Sequence, residues 1–319
     1  MSDSPLPCVD DVLAAAARIA AHAGVTPVLR SRTLDAMTGA TIFFKAEHLQ
    51  RSGAFKFRGA CNAVWALDDD QARRGVVTHS SGNHGAALAL AARTRGIACH
   101  VIVPEGAVAA KLANIGRHGA TLWRCDASIA AREAMCAQVQ AETGATLVHP
   151  YTDPQVIAGQ GTAALELLHA SEGLDMMVVP VGGGGLASGT RLALQAVAPA
   201  TGLVLAEPLG AADTARSLAA GERRIDFTPD TVCDGLRGTL GAPNFALLHG
   251  AAQVITVADD ATIAAMRLIW QVLKQVVEPS SAIALAAILA EPARFAGKRV
   301  GVVLSGGNVD LDALPWSAA

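Results

Sequence analysis

Short apolar segments rich in β-branched residues alternate with alanine-rich segments of helical length along most of the chain. Most of the apolar segments lack the polar alternation of a strand with one solvated face, so both of their faces are expected to be buried. This alternation predicts parallel β-sheets covered by helices, an α/β fold of the doubly wound type. The predicted strands are residues 41–45, 75–79, 98–103, 121–124, 146–149, 175–181, 203–206, 253–257 and 299–304.

Three helix starts are marked by capping residues. Ser128 precedes the helical segment IAAREAMCAQVQAE, and the pair Asp259-Asp260 precedes ATIAAMRLIWQVLKQV. Pro154 opens QVIAGQGTAALELLHA, as proline does at the first position of a helix. We therefore predict helices that begin near these three positions.

Composition excludes several classes of protein. The 319 residues include 25 Lys and Arg against 28 Asp and Glu, a net charge of −3, so no nucleic-acid partner is expected. Hydrophobic residues make up 51% and charged residues 17%, which excludes a disordered chain. Polar residues, glycine or proline interrupt every apolar stretch before the roughly 18–20 residues of a spanning helix, so no membrane partner is expected.

The cysteines and the N-terminal segment predict a cytoplasmic location. Six cysteines, at positions 8, 61, 99, 125, 136 and 233, are scattered without a CxxC pair. This spacing fits neither a zinc site nor a disulfide framework, and it favours a reducing compartment. The segment MSDSPLPCVDDV has no basic region followed by an apolar one, so no secretory signal is expected.

Four strand-to-helix junctions are rich in glycine, serine and asparagine. Ligands of open α/β sheets bind at the carboxyl ends of strands, where such junctions lie. The four are SGAFK at 52–56, HSSGNHG at 79–85, GGGG at 182–185 and SGGN at 305–308. We expect the functional site among them.

The run Gly182, Gly183, Gly184 and Gly185 allows two interpretations besides an ordinary turn. Successive backbone N–H groups at a helix N-terminus can hold a phosphate. Alternatively, Gly182, Gly184 and Ala187 satisfy the loose G-x-G-x-x-G/A dinucleotide pattern, with Glu207 about 20 positions further on, which would make the protein an NAD-dependent oxidoreductase. The second interpretation leaves the other three junctions without a purpose.

Lys56 and the SSGNHG segment also have alternative interpretations. Lys56 lies between Phe55 and Phe57, and a desolvated lysine amine has a lowered pKa and can form a Schiff base. A surface lysine with a covered stem fits the same pattern. SSGNHG can hold a carboxylate at a helix N-terminus or serve only as a capping turn. A hydrolase is not expected, because no G-x-S-x-G surrounds Ser81.

Taken together, these motifs resemble those of the fold-type II pyridoxal-phosphate enzymes, in the branch of serine racemase, serine/threonine dehydratases and 3-hydroxyaspartate dehydratases. The resemblance runs from about Thr26 to Trp316 and includes many motifs in the same order. They are SGAFKFRGA (52–60), HSSGNHG (79–85), HP…VIAGQGT (149–162), VPVGGGG (179–185), AEP (206–208), EPSSA (278–282) and SGGNVD (305–310).

The resemblance implies pyridoxal 5'-phosphate as cofactor and assigns residues to it. Lys56 would be the Schiff-base lysine and the base that removes the Cα proton, and Ser81 would be a second catalytic residue on the opposite cofactor face. The other implied cofactor contacts are Phe55 and Gly235 on the ring, Asn83 at the phenolic oxygen, Gly182 to Gly185 at the phosphate and Ser305 at the pyridine nitrogen. A neutral hydroxyl at that nitrogen favours β-elimination, because the cofactor is then a weaker electron sink.

Substrate and metal contacts are implied in the same way. Ser80, Ser81, Asn83 and His84 would hold the substrate's α-carboxylate. Arg132 would receive a second carboxylate, with Arg237 as another candidate for that role. Glu207 and Asp213, with the carbonyl of Ala211, match a divalent-cation site suited to Mg²⁺ or Ca²⁺, structural or activating in role.

The expected function is a dehydratase (ammonia-lyase) that converts a β-hydroxy L-amino acid, serine, threonine or 3-hydroxyaspartate, to a 2-oxo acid and ammonia. The alternative within the family is a racemase that uses Lys56 and Ser81 on opposite faces. A binding protein that kept the fold without activity is a third possibility. The implied partners are a small amino-acid substrate and a second copy of the chain in a homodimer.

The resemblance implies two doubly wound domains of the tryptophan synthase β type. Residues 1–67 and 151–319 would form the large cofactor-binding domain, and residues 68–150 a small inserted domain. The cofactor would lie in the cleft between them, and closure of the small domain would exclude water. SGGNVD begins at residue 305 of 319, so no C-terminal regulatory domain is expected.

Overall fold

Two β-sheets and fourteen α-helices make up the part of the chain that the computed structural model describes, residues 5–107 and 109–316. The larger sheet has the strand order β1-β2-β10-β7-β8-β9, and the smaller has β5-β4-β3-β6. The strands are β1 (Val28–Leu29), β2 (Thr41–Lys45), β3 (Val76–Thr78), β4 (Cys99–Pro104), β5 (Thr121–Cys125), β6 (Thr146–Leu147), β7 (Met176–Pro180), β8 (Gly202–Pro208), β9 (Gln253–Val257) and β10 (Arg299–Val303).

Helices connect the strands and cover the sheets. They are α1 (Val9–Ile19), α2 (Arg32–Thr38), α3 (Lys56–Ala66), α4 (Asp69–Arg74), α5 (Asn83–Arg95), α6 (Ala109–Arg117), α7 (Ile129–Thr143), α8 (Pro154–Ala170), α9 (Gly185–Val197), α10 (Asp213–Ala220), α11 (Ala242–Leu248), α12 (Asp259–Val272), α13 (Pro279–Ala290) and α14 (Pro292–Phe295). None of the helices in the described residues has the length and apolar character needed to cross a membrane.

The predicted α/β class with parallel sheets is confirmed. Every strand pair is parallel except β1 with β2, which is antiparallel. Successive residues of β7 explain why the strands lack polar alternation: Val178 packs into one buried apolar cluster and Val179 into another. Both faces of the larger sheet are therefore covered by helices, as a parallel sheet requires.

The sequence pattern located the regular elements well. Strands β2 and β9 have the predicted bounds, and the other predicted strands differ by a few residues at their ends. Ser128 caps α7, where its Oγ accepts a hydrogen bond from the Ala131 N–H at 3.1 Å. Strand β1 was not predicted, because two residues are too short to show a hydrophobic period.

The smaller sheet is built from residues 76–147 only, a stretch that falls inside the predicted small domain. The boundaries of the two domains stay a prediction. Residues 1–4 and 317–319, at the ends of the predicted large domain, and residue 108 in the small one lie outside the described residues.

Candidate active site

Three of the four glycine-rich junctions meet through hydrogen bonds. The Phe55 N–H donates to the Ser305 carbonyl at 2.9 Å, which joins the lysine junction to the SGGN junction. The Asn308 Nδ2 donates to the Ser52 carbonyl and to the Asn83 Oδ1, both at 2.9 Å. Segments 52–56, 79–85 and 305–308 thus lie side by side at the carboxyl ends of strands from both sheets.

The glycine run is brought to the same place by Pro150 and Tyr151. Lys56 Nζ donates to the Pro150 carbonyl at 2.9 Å. The Tyr151 ring packs directly on Gly183, where an added Cβ would lie 2.5 Å from two ring carbons. A side chain at Gly183 is therefore excluded. All four junctions therefore lie close together in the structure.

Lys56 begins α3, with its amine 5.2 Å from the centre of the Phe55 ring. Burial lowers the pKa of Lys56 to about 8, while the negative charge of Glu278 limits the fall. The lysine is therefore not the surface residue of the simpler interpretation. A substantial fraction of neutral amine near neutral pH suits both a nucleophile and a base.

The glycine run ends in the first turn of α9. Gly184 has φ of +94° and is the N-cap of that helix, and a Cβ there would lie 2.7 Å from Asn244 Cβ. Among the described residues, no hydrogen bond occupies the N–H groups of Gly182, Gly183, Gly184 or Gly185. Free N–H groups converging at the positive end of a helix form an anion site, so the loop fits a phosphate.

The SSGNHG segment leads into α5, whose N-cap is Gly82. Ser80 and Ser81 are half-buried, whereas His84 is 1% exposed. The His84 Nε2 donates to the Val148 carbonyl at 3.2 Å, and burial holds the pKa of this imidazole well below its ordinary value. The neutral ring of His84 thus points inward, and its contribution to a carboxylate site would be its backbone N–H at the helix start.

Ser280 is hydrogen-bonded to two residues that the resemblance assigns to the cofactor ring, Gly235 and Ser305. The Gly235 N–H donates to Ser280 Oγ at 3.0 Å, and the Ser305 Oγ donates to the Ser280 carbonyl at 3.5 Å. Ser305 is only 3% exposed. Its long hydrogen bond to Ser280 is weak, so the hydroxyl can turn toward a ring nitrogen without a large loss.

Two histidines extend the site, and the sequence analysis gave them no role. The rings of His79 and His149 meet edge to face at 4.9 Å, and His149 meets Tyr151 in the same way at 4.6 Å. The His149 Nδ1 accepts from the Tyr151 N–H at 3.4 Å and the Thr152 N–H at 3.2 Å. Burial lowers the pKa of His149 to about 3, so the ring is neutral and carries its hydrogen on Nε2.

The two candidate arginines are placed differently. Arg132, in the first turn of α7, lies close enough to His79 for its charge to help lower the pKa of that imidazole, after the larger effect of burial. One Arg132 Nη2 bond goes to the Ala127 carbonyl at 3.1 Å, and its buried Nε has no partner among the described residues. Arg237 is exposed and donates twice to the Thr231 carbonyl, at 3.2 and 2.6 Å. Of these two arginines, Arg132 is the one with a buried donor that has no partner among the described residues.

Glu278 and Asn308 are central to the site, yet sequence reasoning gave them no role. Glu278 is 4% exposed, and its Oε1 accepts from Asn83 Nδ2 at 2.8 Å. Its Oε2 accepts from the Asn308 N–H at 3.2 Å. One signal could have found it: Glu278 holds the N-cap position of α13, where Ser, Thr, Asp or Asn is usual.

The predicted metal ligands form a buried acidic pair. The two Glu207 oxygens accept from the Thr214 and Ala215 N–H groups at 2.7 and 2.8 Å, and the Asp213 Oδ2 accepts from the Leu240 N–H at 2.8 Å. Burial raises the pKa of Glu207 to about 7 and raises that of Asp213, and the charge of Asp213 adds to the effect on Glu207.

The pair offers an unused oxygen. Asp213 is fully buried, and its Oδ1 has no hydrogen-bond partner among the described residues. The described residues contain no group of three or more His, Cys, Asp or Glu side chains that could hold a metal. A cation here would therefore need carbonyl and water oxygens, such as the carbonyl of the buried Ala211 between the two acids.

Comparison with known proteins identifies the family. The model of the family described as "Pyridoxal-phosphate dependent enzyme" matches residues 19–306. The beta-hydroxyaspartate dehydratase of Paracoccus denitrificans is 51% identical over 98% of this chain and 99% of its own length, and a serine racemase of Oryza sativa subsp. indica is 46% identical over 97% and 93%.

The solved structure of maize serine racemase has the same fold. Its TM-score is 0.94 at 44% identity, covering 97% of this chain and 95% of that one. The free N–H groups of the glycine run and the desolvated amine of Lys56 fit the phosphate and the aldehyde of pyridoxal phosphate. The chain therefore belongs to the family of pyridoxal-phosphate-dependent enzymes of fold type II.

Proposed function

We propose that the protein is a pyridoxal-phosphate-dependent dehydratase that converts 3-hydroxyaspartate to oxaloacetate and ammonia. The observation that carries this proposal is the Lys56 amine, which has its pKa lowered to about 8 and belongs to one of the four glycine-rich junctions that lie close together. The 51% identity with a beta-hydroxyaspartate dehydratase favours 3-hydroxyaspartate over serine and threonine.

Binding of the cofactor would use parts of both sheets. The N–H groups of Gly182 to Gly185 would hold the phosphate, Phe55 and Gly235 would flank the ring, and Ser305 would meet the ring nitrogen. Asn83, which follows strand β3 of the smaller sheet, would hydrogen-bond the phenolic oxygen. When bound, pyridoxal phosphate withdraws electrons from the substrate's Cα and so weakens its bond to hydrogen. All other steps depend on the chain's own residues.

Substrate orientation would come from the start of α5. The N–H groups of its first turn, with the Ser80 and Ser81 hydroxyls, would hold the α-carboxylate, since the helix dipole favours negative charge there. These hydrogen bonds would orient the substrate so that its Cα hydrogen faces Lys56. The Lys56 Nζ would then take that proton, and water would leave from the β-carbon. Hydrolysis of the released enamine produces the 2-oxo acid and ammonia.

The second carboxylate of 3-hydroxyaspartate would be received by Arg132. Its buried Nε has no partner among the described residues, and its Nη2 has a second hydrogen besides the one donated to the Ala127 carbonyl. The guanidinium could therefore bind a carboxylate through two parallel hydrogen bonds. Arg237 is less suited, because its Nε and Nη2 both donate to the Thr231 carbonyl. Serine and threonine have no second carboxylate for Arg132.

Racemisation is the second candidate function. Ser81 lies in the junction before α5. By the family resemblance it would stand on the cofactor face opposite Lys56, where a serine could return a proton to Cα and invert it. The 46% identity with a serine racemase supports this activity beside the dehydratase. The proposal also includes Mg²⁺ or Ca²⁺ at Glu207, Asp213 and the Ala211 carbonyl, and a homodimer in the cytoplasm.

A substrate panel tests the proposal. The purified protein, loaded with pyridoxal phosphate, is assayed for 2-oxo acid and for enantiomer with the 3-hydroxyaspartate isomers, L-Ser, D-Ser and L-Thr. We expect one 3-hydroxyaspartate isomer to have the highest kcat/KM, and Arg132→Gln to lower that value about 100-fold while changing the value for L-Ser much less. Higher kcat/KM for L-Ser or L-Thr than for every 3-hydroxyaspartate isomer would refute the substrate assignment.

A further inference from the structure

Asn83 lies at the point where the site's two sheets meet, and its side-chain amide is fixed from both ends. Asn83 Oδ1 accepts from Asn308 Nδ2 at 2.9 Å, and Asn83 Nδ2 donates to Glu278 Oε1 at 2.8 Å. Asn83 begins α5, which follows strand β3 of the smaller sheet. Glu278 precedes α13, and Asn308 follows strand β10 of the larger sheet.

The direction of these bonds determines which atom of each amide is nitrogen. Asn308 Nδ2 also donates to the Ser52 carbonyl at 2.9 Å, and a carbonyl can only accept. The same Nδ2 therefore faces Asn83 Oδ1, which turns Asn83 Nδ2 toward Glu278. An ionised carboxylate likewise only accepts, so both ends of the chain of bonds impose the same orientation.

Glu278 is itself held in one position. Its N–H donates to the Gly306 carbonyl at 3.0 Å, and its Oε2 accepts from the Asn308 N–H at 3.2 Å. A Cβ at Gly306 would lie 2.6 Å from Glu278 Oε1, so only glycine leaves room for the carboxylate at this place. Glu278 is 4% exposed. A charge so far from water persists only where hydrogen bonds or an opposite charge stabilise it.

The amide of Asn83 retains one unused hydrogen. Nδ2 carries two, of which one is donated to Glu278, and the described residues supply no acceptor for the other. We propose that Glu278 is a positioning residue that, with Asn308, turns the Asn83 amide so that an N–H and not the carbonyl oxygen faces the phenolic oxygen of bound pyridoxal phosphate. The inference rests on the proposed function, which assigns Asn83 to that oxygen.

Glu278→Gln tests the inference, because a glutamine has one acceptor where the carboxylate has two. Its NH₂ would face either Asn83 Nδ2 or the Asn308 N–H, and both of these groups are donors. One hydrogen bond would be lost in either case, which weakens the hold on the Asn83 amide directly or through Asn308. We expect pyridoxal phosphate to bind the apo-protein about tenfold more weakly, and the visible band of the bound cofactor to change its wavelength or its pH dependence. Glu291→Gln is the matched control, since Glu291 caps the other end of α13 and is exposed.

A double-mutant cycle separates positioning from a general structural or electrostatic effect. If Glu278 acts through Asn83, Glu278→Gln should change cofactor affinity little in an Asn83→Ala background. An equal loss in both backgrounds would overturn the inference, as it would mean that the charge acts on Lys56 directly. Unchanged cofactor affinity and spectrum in Glu278→Gln, with Asn83 intact, would also overturn it.

Asn308→Ala provides the test if Glu278→Gln does not fold. It keeps the carboxylate but removes the bond that fixes Asn83 Oδ1, and we expect weaker binding of pyridoxal phosphate in the same direction, about threefold. Unaltered binding would overturn the inference. Neither readout uses turnover, so a wild-type protein that binds the cofactor but releases no 2-oxo acid would refute the proposed function alone.

Discussion

Lys56 and Glu207 respond to burial in opposite directions for the same physical reason. Removal from water disfavours the charged form of each group, so the pKa of Lys56 falls from 10.5 to about 8 and that of Glu207 rises from 4.5 to about 7. The neighbours differ in sign. Glu278 has the opposite charge to Lys56 and stabilises the ammonium form, whereas Asp213 has the same charge as Glu207 and destabilises its carboxylate form.

This difference indicates what each region still needs. The lysine region holds its own countercharge, and its neutral amine is available near neutral pH. The acidic region has two carboxylates, one unused oxygen and, within the described part of the chain, no side-chain cation hydrogen-bonded to it, so its ionised form would be stabilised by a divalent ion. These properties fit the proposed roles of Lys56 as a base and of the acidic pair as an ion site.

Replacement of Lys56 should have the largest effect. We expect Lys56→Ala to lower kcat/KM for the best substrate by about 10³-fold or more, because the site then lacks both its base and its anchor for the cofactor. Lys298→Ala, outside the site, is the control and should leave the rate unchanged. Steady-state kinetics with added cofactor measure both. Turnover at the wild-type rate in Lys56→Ala would refute its role.

The pH profile should follow the lowered pKa of Lys56. A general base acts in its neutral form, and the fraction of neutral amine rises as the pH rises toward about 8. We therefore expect kcat/KM to increase by about tenfold per pH unit well below that value and to level off above it. A profile that continues to rise to pH 10 would mean that the amine is not desolvated in the working enzyme.

Removal of divalent ions should destabilise the protein, more at pH 8 than at pH 5. Between pH 4.5 and about 7, the ion-free native state keeps a proton on Glu207 that the unfolded chain has already released. The free energy of unfolding therefore falls as the pH rises through this window. A cation replaces that proton. We expect saturating Mg²⁺ or Ca²⁺ to raise the Tm of chelator-treated protein by about 5 °C at pH 8. An equal shift at both pH values would contradict this explanation.

Glu207→Gln should have the smallest effect on activity. The proposed ion would take no part in the proton transfer, so we expect kcat to change by less than about fivefold, while Mg²⁺ no longer raises the Tm. Glu222→Gln is the control, because Glu222 is an exposed acid paired with Arg224 on a nearby loop. A loss of kcat as large as that of Lys56→Ala would place the acidic pair in the chemistry and remove the contrast between the two regions.

Local pattern was enough for the sheets but not for the polar network. The strand 41–45 was predicted with its observed bounds because an apolar β-branched run between polar residues is a local signal. The bonds of Asn83 to Glu278 and Asn308 join positions 195 and 225 residues apart, and no local period encodes such pairs. The motifs placed both residues near the site, but only the folded chain relates them to each other.

The inward turn of His84 was unpredictable for a similar reason. The family resemblance implies that His84 helps to hold the substrate's α-carboxylate, but it does not say in which direction the ring points. Its actual partner is the carbonyl of Val148, which lies in a segment 64 residues away. The direction of a side chain at a helix start depends on packing across the core. The sequence therefore identified the residue but could not predict which atom its ring would contact.

The most direct test of the central claim is to find where pyridoxal phosphate attaches. The holoprotein is reduced with borohydride, digested and analysed by peptide mass spectrometry. The account predicts a phosphopyridoxyl group on the peptide that contains Lys56, with Lys45 unlabelled, because the Lys45 amine is tied to Glu166 and to the Thr26 carbonyl. A label on any other lysine, or no label on a yellow protein, would contradict it.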